Sequence, residues 1–346
     1  LSPERMEQFC AEACGYTFLY GTERVTEAAM EALMGLAGEA RVIEKMQRMQ
    51  GGEVLNFIKG FSSENRAVLH TATRDFFDSI HKSGPAKEAA EMAKAEVEKL
   101  ARLMEQIDRE GKFTNMIMIG IGGSDLGPYA NYLAMEYLKK SNRHLFFVNN
   151  VDPDNAAAVL KKVDLEKTVV VVVSKSGTTL ETATNELFVR TRFVAKGLVP
   201  KEHFIAVTGE GSPMDDPSQY IASFYIWDWI GGRYSSTSMV GGVMLAFAFG
   251  MEVYMEFLRG ANAMDKAALS NDLYTNLPLL GALLEVWNRN FLHYPTLAVI
   301  PYSQALARFP AHIQQVEMES NGKHIDRLGQ HVAFNTGPII WGEAGT

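Results

Sequence analysis

The sequence predicts an α/β protein built on a doubly wound parallel sheet, and three observations predict it. The first is a run of five valines, Val169–Val173. It is too short to span a bilayer, and its β-branched side chains read as a strand covered on both faces, as parallel strands are. The second is the alternation of apolar strands with helical stretches between residues 116 and 227. The third is that glycine- or hydroxyl-rich turns follow two of these strands, at the ends where such sheets bind ligands.

Taken in order, residues 1–60 read as helical, with apolar spacing through Met30, Leu33, Met34 and Leu36. Cys10 and Cys14, four apart, are expected on one face of a helix in a reducing compartment, since no partner set follows at metal-ligand spacing. The stretch from Asn65 to Arg74 either brings charge to a site or pairs with a carboxylate. Residues 86–106 form an amphipathic helix.

Strands are then expected at Met116–Ile121, His144–Val148, Val169–Val173, Phe204–Val207 and Phe224–Trp227. Helices are expected between them at Leu126–Leu138, Asn155–Lys162 and Leu180–Phe193. Met239–Leu258 is nearly apolar and predicts one buried helix. A helix at 279–292, a strand at Thr296–Pro301 that starts a second α/β unit, a helix through Glu319 and a strand at Val332–Trp341 complete the reading.

At 346 residues the chain should hold about two domains. A net charge of −8 argues against nucleic acid as a partner, so an anionic ligand must be held by local geometry. No signal peptide and no apolar run of about 18 residues is read, so no membrane partner is expected and the expected location is the cytoplasm.

Three constellations carry chemistry. The valine strand runs into Ser174-Lys175-Ser176-Gly177-Thr178-Thr179 and then a helix. Free N–H groups and the positive helix end would converge on an anion there. Ser174, Ser176, Thr179 and Thr182 offer hydroxyls, and Lys175 a charge. Ser and Thr are also ordinary N-caps, and Thr178-x-x-Glu181 fits a capping box, but a cap needs only one hydroxyl.

Gly120-Ile121-Gly122-Gly123-Ser124-Asp125 resembles a dinucleotide fingerprint, yet Asp125 fills the third glycine position. A turn that brings backbone and Ser124 close to a small ligand fits better. In Trp227-Asp228-Trp229-Ile230-Gly231-Gly232-Arg233, two glycines allow close approach and deliver a guanidinium, or else Arg233 forms a structural pair with an aspartate. Finally, Gln315 and Glu319 share a helix face in Gln314–Lys323 while Glu317 points elsewhere. Glu319 is either a general base or the partner of Lys323 one turn on. The eight histidines show no triad-like or zinc-like arrangement.

Together these stretches resemble the phosphoglucose isomerases in their bacterial form. The matching segments are IGIGGSDLGP (119–128), SKSGTTLET (174–182), WDWIGGRYS (227–235), QQVEMESNGK (314–323) and GPIIWGEAGT (337–346). The resemblance spans residues 65–346. It implies two sugar-isomerase (flavodoxin-like) doubly wound parallel-sheet domains, the second incomplete: an N-terminal helical segment at 1–83, a first domain at 84–247 and a truncated second at 248–346. It implies interconversion of aldose and ketose 6-phosphates, glucose and fructose 6-phosphate, without metal or organic cofactor, in a homodimer.

Carried across, Ser174, Ser176, Thr179 and Thr182 would hold the phosphate beside Lys175, with Gly123, Ser124 and Gly232 lining the pocket. Glu319 would move a proton between C2 and C1 through a cis-enediolate, Arg233 would stabilise it, and Gln315 would contact the sugar. With Arg233 and Glu319 on different domains, the site is expected between them. The sequence departs from the family at Ala344, where proline is usual. It also stops before the family's histidine and later lysine that open the sugar ring, so the chain is read as lacking its C-terminal part and normal turnover on the cyclic sugar, with residual action on the open-chain sugar left open. A non-catalytic sugar-phosphate sensor of the same fold is the alternative, and an isomerase of amino-sugar phosphates would share only the phosphate turn.

Overall fold

The computed structural model describes residues 2–345. The chain opens with helix α1 (Pro3–Gln8), strands β1 (Cys10–Ala13) and β2 (Tyr16–Leu19), and helices α2 (Glu27–Glu39), α3 (Val42–Gln50) and α4 (Pro85–Glu110). An alternating run follows: β3 (Asn115–Ile119), α5 (Leu126–Met135), β4 (His144–Val148), α6 (Pro153–Leu160), β5 (Thr168–Ser174), α7 (Leu180–Ala195), β6 (Phe204–Thr208) and β7 (Ala222–Tyr225). Helices α8 (Met239–Phe249), α9 (Met251–Ala267) and α10 (Leu277–Val286) come next, then β8 (Thr296–Ala298), α11 (Phe309–Gln314) and β9 (Ile339–Trp341).

Two compact units result. One comprises the chain up to Ala90 with Leu258–Ala298 and Glu317–Ile340; the other comprises Glu91–Phe257, Val299–Val316 and the chain from Trp341.

The second unit holds a five-stranded sheet in the order β4-β3-β5-β6-β7, with every pairing parallel. The predicted fold class is therefore present: β3 has later strands on both sides, which places a switch point between β3 and β5. All five valines of β5 are buried in the middle of this sheet. Each contributes about 1.5–3 kcal/mol relative to an exposed valine.

Alternate residues serve opposite faces. Ile117, Val170, Val172 and Phe204 pack with Val159 of α6 and Val189 and Phe193 of α7. On the other face Tyr129 of α5 stacks on Phe147 at 4.2 Å, and α8 lies against β5. Every residue of α8 is buried, as an all-round apolar helix requires.

The first unit is mainly helical. Its core joins Phe9, Tyr20, Met30 and Leu33 to Leu280 and Leu283 of α10. Arg74 pairs with a carboxylate, meeting both oxygens of Asp265 at 2.6 and 2.7 Å. At the ends of β8 and β9, Ile339 N–H bonds to Pro295 O in this unit and Val299 N–H bonds to Trp341 O in the second.

Several predicted elements differ. Cys10 and Cys14 are not on a helix: Cys10 opens β1, and Cys14 sits in the two-residue turn of a hairpin. Cys14 and Gly15 have φ of 53° and 80°, the left-handed pair that such a turn demands. The single helix expected over Met239–Leu258 breaks at Gly250, whose φ of 98° ends α8 before α9 begins. The strand expected over Val332–Trp341 is confined to Ile339–Trp341. Thr346, the last residue of the GPIIWGEAGT segment, lies outside the described residues.

Candidate active site

In the second unit, the turns after β3 and β5 line one cavity of about 420 Å³, in the size range of small-molecule sites. From the first turn come Gly123 and Ser124. From the second come Ser174, Lys175, Ser176, Thr179 and Thr182, and Gly232 joins from the loop after β7. The order of the sheet explains the convergence, because β3 and β5 are neighbours that end at the switch point.

The hydroxyl turn is built to leave a helix end open. Thr179 is the N-cap residue of α7, yet its side chain makes no capping bond. Its Oγ1 instead accepts from the Ser174 hydroxyl at 3.0 Å. Ser176 Oγ accepts from the Thr178 N–H and hydroxyl at 3.1 and 2.9 Å. The capping-box reading of Thr178 and Glu181 is therefore not the arrangement adopted. Gly177 takes φ of 68°, which tightens the turn, and a Cβ there would fall 2.9 Å from Ser212 Oγ. An uncapped helix N-terminus among hydroxyls is suited to an anion.

Lys175 has a double role. Its Nζ donates to the carbonyls of Asp228 and Ile230 at 3.2 and 3.0 Å and lies 3.7 Å from the Asp228 carboxylate. The lysine read as a phosphate charge thus also ties the β5 turn to the loop carrying Gly232 and Arg233. Asp228 lines the cavity and was missed as a site residue, although it stands inside the Trp227–Arg233 motif. At the end of the glycine turn, burial raises the Asp125 carboxyl to about 6, against the opposing effect of a hydrogen bond from Asn149 at 2.9 Å.

Arg233 donates from Nε to the Gln315 carbonyl at 3.2 Å, so these two predicted residues meet. A Cβ on Gly122 would lie 3.6 Å from Gln315 Nε2, and Gln315 Oε1 is buried without a hydrogen-bond partner. That leaves an acceptor beside the glycine turn for a ligand hydroxyl to satisfy.

Glu319 belongs to the first unit. It ends a π-turn, Gln315–Glu319, that continues α11, and its side chain is exposed. Lys323 reaches the Glu319 backbone carbonyl. π-turns inside helices are frequent at functional positions. Among the described residues, no group of three or more His, Cys, Asp or Glu side chains could hold a metal ion.

A family model described as phosphoglucose isomerase matches residues 19–346. The chain belongs to the phosphoglucose isomerase family. It is 59% identical over 347 residues to the glucose-6-phosphate isomerase of Protochlamydia amoebophila (strain UWE25), covering 100% of this chain and 65% of that protein. It is 52% identical over 346 residues to the glucose-6-phosphate isomerase of Chlamydia abortus (strain DSM 27085 / S26/3), with the same shares covered.

Among solved structures it superposes on a glucose-6-phosphate isomerase from Chlamydia trachomatis D/UW-3/Cx with a TM-score of 0.97 and 53% identity, covering all of this chain and 66% of that one. A hypothetical protein from Thermus thermophilus aligns with a TM-score of 0.69 and 25% identity, over 92% of this chain and 68% of that one. The chain thus spans about 65% of the length of the first two relatives. No helix among the described residues is long and apolar enough to cross a membrane.

Proposed function

We propose that the whole protein interconverts glucose 6-phosphate and fructose 6-phosphate through a cis-enediolate, serving glycolysis and gluconeogenesis. The observation that carries this reading is the uncapped N-terminus of α7, opening on a cavity lined by Ser174, Ser176, Thr179 and Thr182. In this reading those hydroxyls and the helix end hold the phosphate. The phosphate is remote from C1 and C2, so its binding supplies orientation.

Glu319 takes the proton from C2 of the open-chain aldose and returns it to C1, or the reverse, while the hydroxyl proton on O2 passes to O1. The electrons stay within the sugar, C1 being reduced as C2 is oxidised, so the step needs no external oxidant and no organic cofactor. Arg233 stabilises the oxygen on which negative charge develops, Gln315 contacts the sugar, and Gly123, Ser124 and Gly232 admit it closely. A sugar-phosphate sensor would use the hydroxyl turn but would have no role for Arg233 and Glu319 together. For the whole protein we also propose residues 1–83 as an N-terminal segment of helices and one β-hairpin, 84–247 as the first sugar-isomerase domain and 248–346 as part of the second, with a homodimer in the cytoplasm.

The test is an assay of the whole protein on fructose 6-phosphate and on fructose, without added metal. Turnover of the phosphorylated sugar and none of the free sugar is expected. Absence of turnover on both would overturn the reading.

A further inference from the structure

In the first unit, two carboxyl side chains distant in sequence meet beside the proposed base. Glu285 stands in the last turn of α10, directly before a π-turn at Trp287–Phe291, and shares a hydrogen bond with Glu317 of the second π-turn. Glu317 Oε1 also accepts from Asn321 Nδ2 at 2.8 Å. The Glu317–Asn321 bond therefore brackets Glu319, which lies midway between them. A Cβ on Gly337 would fall 3.0 Å from Glu317 Oε1 and 3.2 Å from Asn321 Cβ, so the 336–338 segment closes the bracket from outside. That segment is itself tied to α10's π-turn, where Arg289 donates to the Thr336 carbonyl at 3.3 Å.

Two facing carboxylates repel, so this contact holds only while one of them keeps a proton. Burial, and then Glu317, push the Glu285 carboxyl up to about 7. Arg289 lies one turn on from Glu285, in the π-turn that follows α10, and donates to the Thr336 carbonyl, while Lys323 reaches the Glu319 carbonyl. Among the described residues, charged side chains on elements packed against α10 include Glu12 of β1, which accepts from Thr17, and Glu27, Glu31 and Glu39 of α2, while Glu23 accepts from Asn288 of the π-turn.

We propose that Glu285 is a positioning residue: its carboxylic acid, hydrogen-bonded to Glu317, anchors the Glu317–Asn321 bracket to α10 and so fixes the backbone that aims Glu319. The inference rests on Glu319 as the base proposed above. Misplacement of a catalytic group by a fraction of an ångström is enough to slow a proton transfer. The effect is expected on kcat, because Glu285 acts on the backbone that carries the base and not on the hydroxyls proposed to hold the phosphate.

The experiment follows kcat and KM against pH for the whole protein, its Glu285→Gln and Glu285→Ala variants, and Glu319→Gln as control. Glutamine keeps a hydrogen-bond donor toward Glu317 at every pH. Glu285→Gln should therefore retain kcat within about threefold near pH 6 and lose the wild type's decline as pH rises through about 7. Glu285→Ala should lower kcat about tenfold or more with KM little changed. A protonated-carboxyl band in the infrared difference spectrum of wild type minus Glu285→Gln near pH 6, distinct from the Asp125 signal common to both, would support the assignment whatever the kinetics of the alanine variant. A Glu285→Gln profile identical to wild type, or no such band, would overturn the inference while leaving Glu319 as base. Full turnover by Glu319→Gln would overturn both.

Discussion

Gly123 and Gly232 meet backbone to backbone. A Cβ on Gly123 would overlap the Gly232 carbonyl carbon and fall 2.7 Å from the Arg233 amide nitrogen. Two segments more than a hundred residues apart therefore touch because Gly123 carries no side chain, whereas a Cβ on Gly232 would lie an ordinary 4.0 Å from the Gly123 Cα. Ser235 reinforces the contact, its hydroxyl donating to the carbonyls of Gly232 at 2.7 Å and of Gly123 at 3.4 Å.

Gly123→Ala should push these turns apart. Because the obstacle is backbone rather than a flexible side chain, we expect a loss of about 1–3 kcal/mol in stability. Affinity of the whole protein for sugar phosphate should fall as well. Denaturant unfolding and calorimetric titration of the variant check both, and wild-type values for each would contradict the contact.

The sheet was legible because parallel strands announce themselves. His144–Val148 matches its predicted bounds, and Val169–Val173 lies within β5 with one residue to spare at each end. The Ser174–Thr182 turn was legible for the same reason, since hydroxyls crowded between a buried strand and a helix have few other uses. The Cys10–Leu19 hairpin was not, because four-residue spacing of two cysteines mimics a helix face. Its only local signal was Cys14-Gly15, a turn pair without the usual asparagine or aspartate. Nor could residue patterns show that Lys175 reaches the carbonyls of Asp228 and Ile230, or that Glu285 meets Glu317. Both contacts join elements through the fold, and nothing local in either partner marks it.

Lys175→Met keeps the stem but removes the donor to two carbonyls. Hydrogen bonds to charged groups contribute about 1.5–3 kcal/mol, so the variant should lose stability of that order. It should also bind inorganic phosphate more weakly than wild type, because the turn loses its cation. Unchanged phosphate affinity would confine Lys175 to the structural role.

Ser176→Ala combined with Thr179→Ala should weaken binding of glucose 6-phosphate about tenfold or more while leaving binding of glucose nearly as it was. Calorimetric titration of the two ligands into the whole protein decides it. Equal weakening for both would move the phosphate site away from α7.

Asp125 makes a pH prediction. Burial raises its folded-state value to about 6, above the 3.8 of an ordinary aspartate. The folded state thus holds this proton more tightly, and the associated stability is full below 3.8 and is lost as pH rises through about 6. Asp125→Asn cannot lose a proton. The stability of wild type relative to the variant should therefore fall by about 2–3 kcal/mol between pH 4 and pH 7. A difference that stays constant across this range would contradict the buried, protonated carboxyl.

The most direct test of the central claim compares wild type and Glu319→Gln in the whole protein, converting fructose 6-phosphate to glucose 6-phosphate in a coupled assay without added metal. The variant is expected to lose turnover while its sugar-phosphate affinity stays within about tenfold of wild type. Turnover retained in the variant, or binding lost together with turnover, would contradict Glu319 as the base that moves the proton.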